Sequence, residues 1–547
     1  MEPVTRSVVN RRGLLRLAAV GAGIALLAAC QSVAPATSPT RPATAPATAQ
    51  LTPGASSTKP AAGQPRSGGT LRLGVLGDLP NMDGHWIQGL STIYHVFDRL
   101  VEYDPKLNPQ PSLAQSWDVN KDFTQITLHL RPGVKWHTGR DFTSDDVKWN
   151  YARLKMDPKV NGGGHFSLIK PLSSMETPDK NTIVFKADQP WPGVFDPFSL
   201  INMLDPETGT DNGTPRPINS KPVGTGPFTF VEYAQGDHIT LKRNPAYWQS
   251  GKPYLDGIDI KIFSDPQALV TQLESGALDA AINPTYRDTA RLLKDGKLPV
   301  ALNDYTGART VILQQSKPGG PTANKQFRQA MQYAIDRQRI VDNVYLGVGA
   351  VGNLPFAPSN PAYDAAKDKT YSFDLDKAKA LVTSSGVSGA EFDAVYSVVA
   401  ADYAQLAQIV QADLAKIGVK LNLKAVEPVQ AADQLFNSKF TGWYIGRSIF
   451  GQLHPGFLQG NPNFSSEVNW AGFKSDDFVA LSDALVHEAD PAKQPQVFAA
   501  WRDYVLDQSF TMVVTAAKDR VVSNPNVHGL RWNLDEMMQA NDAWLDA

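Results

Sequence analysis

Lys221-Pro-Val-Gly-Thr-Gly-Pro-Phe-Thr-Phe230 and the residues that follow it to Trp248 form the stretch that decides the fold. Its two glycines lie between two prolines, which predicts a forced turn, because glycine tolerates unusual backbone angles and proline lacks an amide donor. Apolar residues then alternate on both sides of Gln235-Gly-Asp237, a pattern that predicts a β-hairpin. The stretch is interpreted as structural, with no chemistry of its own.

The segments around the hairpin show strand and helix patterns in turn. Apolar residues alternate over 70–76 and over 126–130, which predicts two strands. They recur at helical spacing over 91–100 and over 403–417, which predicts helices. Thr143-Ser-Asp-Asp146 has the spacing of a capping box and predicts the start of another helix. Helices that lead into strands indicate an α/β protein.

The first thirty residues predict an export signal with a lipid-attachment site. A basic head precedes the apolar run Leu17 to Ala29, which is shorter than the ~20 residues of a membrane-spanning helix. Leu27-Ala-Ala-Cys30 resembles a bacterial lipobox, so Cys30 is the predicted lipidation site. Arg11-Arg12 resembles a twin-arginine signal, and both the twin-arginine and the general export route stay open. The alternative is a transmembrane anchor with an incidental cysteine.

Composition excludes several classes of protein. The net charge is −2 overall and +3 in the first thirty residues, so the remainder carries about −5 and does not indicate a nucleic-acid binder. A single cysteine leaves no intramolecular disulfide and no cysteine metal site, and the nine histidines lack metal-binding spacing, so no metal or cofactor is expected. Glycine-rich nucleotide loops, serine-hydrolase elbows and zinc-protease motifs are absent from the sequence.

Several motifs resemble those of family 5 extracytoplasmic solute-binding proteins, the peptide- and oligopeptide-type receptors of ABC importers. The resemblance begins with Pro222-Val-Gly-Thr-Gly-Pro-Phe228, Arg243-Asn-Pro-Ala-Tyr-Trp248 and Gly251-Lys-Pro-Tyr-Leu-Asp-Gly-Ile258. A Leu-Arg-x-Gly-Val-x-x-His-x-Gly run at 130–139 is similar to another family signature, although its His137 is interpreted as a structural turn residue. The resemblance extends from about residue 69 to about residue 533.

The resemblance implies a two-lobed, type II periplasmic-binding-protein-like α/β fold, with a ligand cleft between the lobes and an extra subdomain in the first lobe. Its hinges are expected near Asn303 to Gln315 and near Phe510 to Ala516. The expected organisation is a signal peptide and lipobox, a disordered tether, the first part of lobe I, the extra subdomain, the second part of lobe I, lobe II and a return to lobe I, at residues 1–30, 31–68, 69–110, 111–219, 220–305, 306–514 and 515–547.

The resemblance also points to ligand-binding residues. Peptide-type members have a Gly-Trp run followed by an aspartate that holds the amino group of the peptide, and here Arg447 takes the aspartate's place after Gly442-Trp443. His454-Pro455 stands where many members have Asp-Pro. Both differences disfavour a ligand with a free amine and favour a neutral or anionic one, with Arg447 binding a carboxylate or phosphate. The alternative is that Arg447 pairs with a structural acid. Aromatic residues predicted to line the site are Trp86, Trp443, Tyr444, Phe450 and Trp470.

The function expected from the sequence is capture of a peptide, sugar or anionic compound and its delivery to ABC permease subunits. The protein is expected to be a monomer, held by its lipid at the outer face of the cytoplasmic membrane, in the periplasm or at the cell surface. It is expected to catalyse no reaction. A solute-sensing surface lipoprotein is the alternative, followed by a secreted hydrolase.

Overall fold

The computed structural model of the chain describes residues 63–79, 82–85, 93–156, 168–208, 210–211, 214–215, 221–303, 309–398, 401–448, 451, 453–533 and 537–546. The predicted signal, lipobox and most of the predicted tether lie outside these residues, as do Trp86 and Phe450. Within the described ranges, no helix combines the length and the apolar character needed to cross a bilayer.

A seven-stranded sheet forms the centre of the first lobe. Thr70–Leu76 lies near its middle and pairs in parallel with Gly257–Phe263 along its whole length. The predicted hairpin is confirmed at one edge, where Phe228–Ala234 and His238–Arg243 run antiparallel. The strands follow in the order Phe228–Ala234, His238–Arg243, Gly257–Phe263, Thr70–Leu76, Ala280–Ile282, Arg520–Ser523 and Val300–Leu302. The helices of this lobe are Pro266–Glu274 and Tyr286–Asp295.

The glycine turn before the hairpin fits against another part of the backbone. A Cβ on Gly224 would lie 2.1 Å from the carbonyl oxygen of Val96, so only glycine allows this approach. The Gly226 N–H donates to the same Val96 oxygen at 3.1 Å. The His137 ring lies 3.0 Å from the Gly226 carbonyl oxygen, which confirms that this histidine is bonded to backbone. The turn therefore joins three distant segments of the first lobe.

The extra subdomain has a four-stranded antiparallel sheet of its own. Its strands follow in the order Ala114–Val119, Gln125–Leu130, Thr182–Ala187 and Leu172–Asp179. The predicted helix begins after Thr143 and covers Ser144–Met156, and the Thr143 N–H donates to the Asp146 carboxylate at 2.8 Å. This bond is one half of a capping box. A short helix, Phe195–Leu200, completes the subdomain.

The second lobe contains a six-stranded mixed sheet. Its strands follow in the order Gly349–Val351, Thr511–Ala517, Arg309–Gln314, Trp443–Ser448, Glu391–Ser397 and Lys420–Val426. Its helices are Lys325–Ala334, Arg337–Asn343, Leu375–Ser384, Ala401–Ala415, Pro428–Phe436, Asp476–His487 and Gln494–Gln508. The chain passes from the first sheet to the second between Leu302 and Arg309, and it returns between Ala517 and Arg520. Two sheets joined in this way, with helices around them, confirm the two-lobed α/β fold.

Short elements complete the two lobes. Short 3-10 helices of one or two turns cover Tyr94–Val96, Pro321–Ala323, Lys367–Lys369 and Pro455–Gly460. Two-stranded pairs join Val101–Tyr103 with Pro109–Pro111, Thr210–Asp211 with Thr214–Pro215, Val527–His528 with Trp544–Leu545, and Arg531–Trp532 with Met538–Gln539.

The helix predicted over 91–100 does not extend to its predicted end: Ile93 is helical and Tyr94–Val96 forms a 3-10 turn, but residues 97–100 are not helical. The carbonyl groups of this segment accept hydrogen bonds from other parts of the chain instead of from a helix. Asp98 accepts from the Met203 N–H at 2.9 Å, and Arg99 and Leu100 accept from Leu113 and Ala114 at 3.1 and 2.9 Å. The apolar side chains of the segment are buried, but its backbone forms hydrogen bonds with distant parts of the chain and not within a helix.

Candidate functional site

A cluster of charged and aromatic side chains lies where the two lobes meet, beside the two chain crossings. We call it the junction cluster. Its members from the first lobe and the return crossing are Tyr286, Asp519 and Arg520, and its members from the second lobe are Tyr345, Asp402 and Arg447. Such a position suits a ligand site, because closure of the lobes covers a bound molecule from both sides.

The aromatic part of the cluster joins the lobes directly. The rings of Tyr286 and Tyr345 meet edge to face, with centroids 4.9 Å apart. The Arg520 guanidinium lies over the Tyr286 ring at 3.9 Å and donates from Nε to the Pro284 carbonyl oxygen at 2.7 Å. The hydrogen bond to Pro284 holds Arg520 within the first lobe. The cation–π contact with Arg520 then holds the Tyr286 ring in its position against Tyr345 of the second lobe.

Arg447 provides the accessible positive charge of the cluster. It lies on the strand Trp443–Ser448, where it pairs with Thr310 on the neighbouring strand. Its side chain is 48% exposed, and Nη2 is 4.0 Å from Oδ2 of Asp519, too far for a hydrogen bond. The predicted alternative, a structural acid near Arg447, is thus present as a loose ion pair, and about half of the Arg447 side chain is exposed.

Two carboxylates balance the charge of Arg447. Burial raises the pKa of Asp519, and the nearby charges of Arg447 and Arg520 lower it in part. Burial likewise raises the pKa of Asp402, while the Tyr345 hydroxyl, 3.4 Å from Oδ2, and Arg447 oppose that rise. Both acids lie far from Arg447 in the sequence, so the residues around Arg447 could not predict them. The cluster can meet a ligand with both a negative and a positive group.

The structure places two of the sequence-predicted residues in the interior of the second lobe. Trp443 is fully buried, packs on Phe392 with centroids 5.3 Å apart and donates from its indole nitrogen to Gln314 at 3.2 Å. Tyr444 points to the other face of the strand, where it is buried and lies 5.7 Å from Phe440. Both side chains flank the strand that carries Arg447.

Trp470 lies apart from this strand. Its half-buried ring packs on the exposed Phe436 with centroids 5.3 Å apart. The structure shows none of Trp443, Tyr444 and Trp470 in contact with the junction tyrosines among the described ring pairs. Trp86, Phe450 and Cys30 lie outside the described residues, so their roles stay predictions.

Five junction residues were missed by reasoning from the sequence: Tyr286, Tyr345, Asp402, Asp519 and Arg520. Each stands immediately beside a helix or a crossing, where a side chain is free to face the neighbouring lobe. Tyr286 begins a helix capped by Thr285, and Asp402 lies in the first turn of Ala401–Ala415. Asp519 and Arg520 closely follow the predicted hinge Phe510 to Ala516, and this position is the only sequence signal that points to any of the five.

Comparison with known proteins identifies the family. The model for bacterial extracellular solute-binding proteins, family 5, matches residues 108–458, more than half of the chain. The chain belongs to this family. It is 32% identical over 425 residues to the heme-binding protein A of Haemophilus influenzae, an alignment that covers 72% of this chain and 76% of that one. Membership places the protein outside the cytoplasm as a solute-binding protein.

A further relative agrees with the family assignment, and a solved structure is similar in fold. The chain is 29% identical over 359 residues to a dipeptide-binding protein of Escherichia coli, covering 61% of this chain and 66% of that one. The fold is similar to that of an ABC transporter-associated periplasmic binding protein from Helicobacter pylori, solved in complex with a peptide. That similarity has a TM-score of 0.75 at 21% identity and covers 88% of this chain and 99% of the other.

Proposed function

We propose that this protein is the substrate-binding subunit of an ABC importer and that it captures a small peptide-like solute at the junction cluster. An ABC transporter-associated protein among the similar structures supports the importer role. The dipeptide-binding relative supports a peptide-like solute, although another relative is named a heme-binding protein. The observation that carries the site is the half-exposed Arg447 between two lobes, with carboxylates beside it. The solute is bound, delivered to the permease and released unaltered.

Arg447 is the proposed anchor for a carboxylate of the solute. A guanidinium offers two parallel N–H donors that match the geometry of a carboxylate, and such charge-assisted bonds are stronger than neutral ones. Closure of the lobes removes water from the pair and strengthens it further. Tyr286, whose ring meets the buried Tyr345 edge to face, supplies an apolar surface in the same cluster.

The charge of the cluster decides between ligand classes. Asp402 and Asp519 lie within electrostatic reach of Arg447, so an amino group of the solute has an acidic partner in the cluster. We therefore favour a zwitterionic, peptide-like solute over the neutral or anionic ligand expected from the sequence. A sugar or a purely anionic compound is the other outcome of the ligand test.

The ligand is identified by native mass spectrometry of the purified full-length protein, which detects a co-purified molecule by its mass. The same compound is then titrated into the solute-free protein by calorimetry. Arg447→Ala is expected to weaken binding by roughly tenfold to a hundredfold, the effect of losing ~1.5–3 kcal/mol from hydrogen bonds to a charged group. Its melting temperature should change little, because the side chain is half exposed.

Arg291→Ala is the matched control for this experiment. Arg291 is exposed to a similar degree, 42%, and pairs with Glu274 on the surface of the first lobe. It should leave the affinity unchanged. Equal affinities of the wild type and Arg447→Ala would remove Arg447 from the site. Recovery of a chemically altered compound after incubation would instead support the hydrolase alternative.

The proposal includes a lipid anchor at Cys30, which would keep the protein beside its permease. The lipobox-like Leu27-Ala-Ala-Cys30 and the tether of small and polar residues after it support this part of the proposal. A lipid on Cys30, followed by the predicted tether, would keep the protein at the membrane while both lobes turn toward the permease.

A further inference from the structure

A leucine of the second lobe lies inside the core of the extra subdomain. Leu453 is 1% exposed and belongs to the apolar cluster that also contains Leu128 and Phe198 of the subdomain. Phe457, four residues later, packs against the same cluster from its edge. This contact is remote in sequence from both crossings between the lobes.

A buried carboxylate completes the contact on the polar side. Asp196, in the short helix Phe195–Leu200, is 2% exposed. Its Oδ1 accepts from the Tyr103 hydroxyl at 2.9 Å, within its own lobe, and its Oδ2 accepts from the His454 backbone N–H at 3.1 Å, across the interface. The carboxylate therefore holds the residue that directly follows Leu453.

The surfaces fit closely at this point. A Cβ on Gly193 would lie 3.3 Å from Nδ1 of His454, so the subdomain approaches that ring at a residue without a side chain. His454 in turn accepts from the Gly456 N–H at 3.1 Å and caps the turn Pro455–Gly460. At the rim, Lys170 of the subdomain and Glu467 of the second lobe form an exposed ion pair at 2.5 Å.

We propose that residues 453–457 are a latch that holds the lobes closed by inserting Leu453 into the core of the extra subdomain. In this proposal the extra subdomain has a specific role: its apolar core binds Leu453 when the lobes close. Like the proposed function, it requires the lobes to open and close. The latch itself contacts no ligand. Leu453 packs in the core of the subdomain, and Asp196 accepts hydrogen bonds from protein groups.

The latch sets the ratio of closed to open protein. In the closed form Leu453 is out of water, and in the open form it is exposed, so its burial favours closure by more than tenfold. The same side chain does nothing for either lobe when they are apart. A substitution there changes the closed population far more than the stability of the separate lobes, which distinguishes a latch from an ordinary core residue.

The test measures the interlobe distance in the solute-free, full-length protein by electron spin resonance between two labels. Lys180→Cys on the subdomain and Lys474→Cys on the second lobe provide exposed sites, in a Cys30→Ser background. The unmodified latch should give a measurable population at the short distance beside the population of open protein at the long distance. Leu453→Ala should lower the ratio of short to long distance by at least tenfold.

Leu278→Ala is the matched control, because it removes a fully buried leucine from a separate apolar cluster of the first lobe, away from the core that receives Leu453. It should lower the melting temperature without changing the distance distribution. If Leu453→Ala gives the wild-type distribution and only lowers the melting temperature, the latch is overturned and the interface is a permanent core.

The rim ion pair gives an independent test if Leu453→Ala does not fold. Glu467→Lys places two positive charges together and should increase the long-distance population several-fold, and adding Lys170→Glu should restore it. If the distance distribution is the same in the wild type, in Glu467→Lys and in the double variant, the proposal is contradicted. Because no solute is present, failure of the ligand experiment with Arg447→Ala leaves this result readable on its own.

Discussion

The buried ion pair between Arg153 and Asp83 provides the sharpest stability prediction. Arg153 lies in the helix Ser144–Met156 of the extra subdomain, and Asp83 lies in the first lobe. Their side chains are 0% and 2% exposed, with Nη1–Oδ1 at 3.0 Å and Nη2–Oδ2 at 2.5 Å. The Arg153 Nη1 is also 2.8 Å from Nδ1 of His85. The pair ties the subdomain to the lobe.

Arg153→Met keeps most of the side-chain volume but leaves the Asp83 carboxylate buried without its main counter-charge. Breaking a buried pair in this way costs about 3–5 kcal/mol in free energy of unfolding. Removing both charges, with Asp83→Leu added, avoids the uncompensated charge, so the double variant should be more stable than Arg153→Met alone. The sign of this difference follows from desolvation, not from the strength of the bond.

Urea unfolding followed by circular dichroism at neutral pH measures these free energies. Lys186→Met is the control, since Lys186 and Glu176 form an exposed pair in the same subdomain, and it should cost less than about 1 kcal/mol. The reasoning fails if Arg153→Met costs as little as the control, or if the double variant loses as much as the sum of the two single changes.

The same pair predicts a pH dependence. Burial raises the pKa of Asp83, but its bond to Arg153 and the positive charges around it outweigh burial, so the pKa lies below its ordinary value of 3.8. A carboxyl with a lowered pKa stabilises the folded state above its unfolded pKa. The contribution should be complete above about pH 5 and lost as the pH falls through the lowered folded value. The difference between wild type and Arg153→Met should shrink in that acid range.

Two further predictions concern the central turn and the anchor. Gly224→Ala should cost several kcal/mol of unfolding free energy in the same urea assay, because its Cβ would lie 2.1 Å from the Val96 oxygen, whereas Gly320→Ala, with its nearest neighbour at 3.9 Å, should cost little. Cys30→Ala should move the protein from the membrane pellet to the soluble fraction in fractionated cells. A variant that stays in the pellet after a high-salt wash would exclude lipidation as the anchor.

Local patterns allowed much of the fold to be predicted. The hairpin after Phe228 follows from glycine, proline and alternation, and those signals act over a few residues. The helix after Thr143 follows from its capping residues in the same way. The helix predicted over 91–100 does not continue beyond Val96. Its apolar spacing reflects burial, while the backbone carbonyl groups accept hydrogen bonds from residues far away in the chain.

The candidate site was less predictable, because its members come together only through the fold. Asp402 and Asp519 approach Arg447 from a helix start and from the return crossing, and no spacing in the sequence joins them. Leu453 has the pattern of any buried leucine, and only the structure shows that the core it enters belongs to the other lobe. Residues that act across an interface have no local signal.

The most direct test of the account is small-angle scattering of the same protein sample without and with the solute identified by mass spectrometry. If the lobes close around the solute, saturating solute should decrease the radius of gyration, because bound solute shifts the protein toward the form with closed lobes. A radius of gyration that stays the same, with calorimetry showing full occupancy, would contradict closure around the solute.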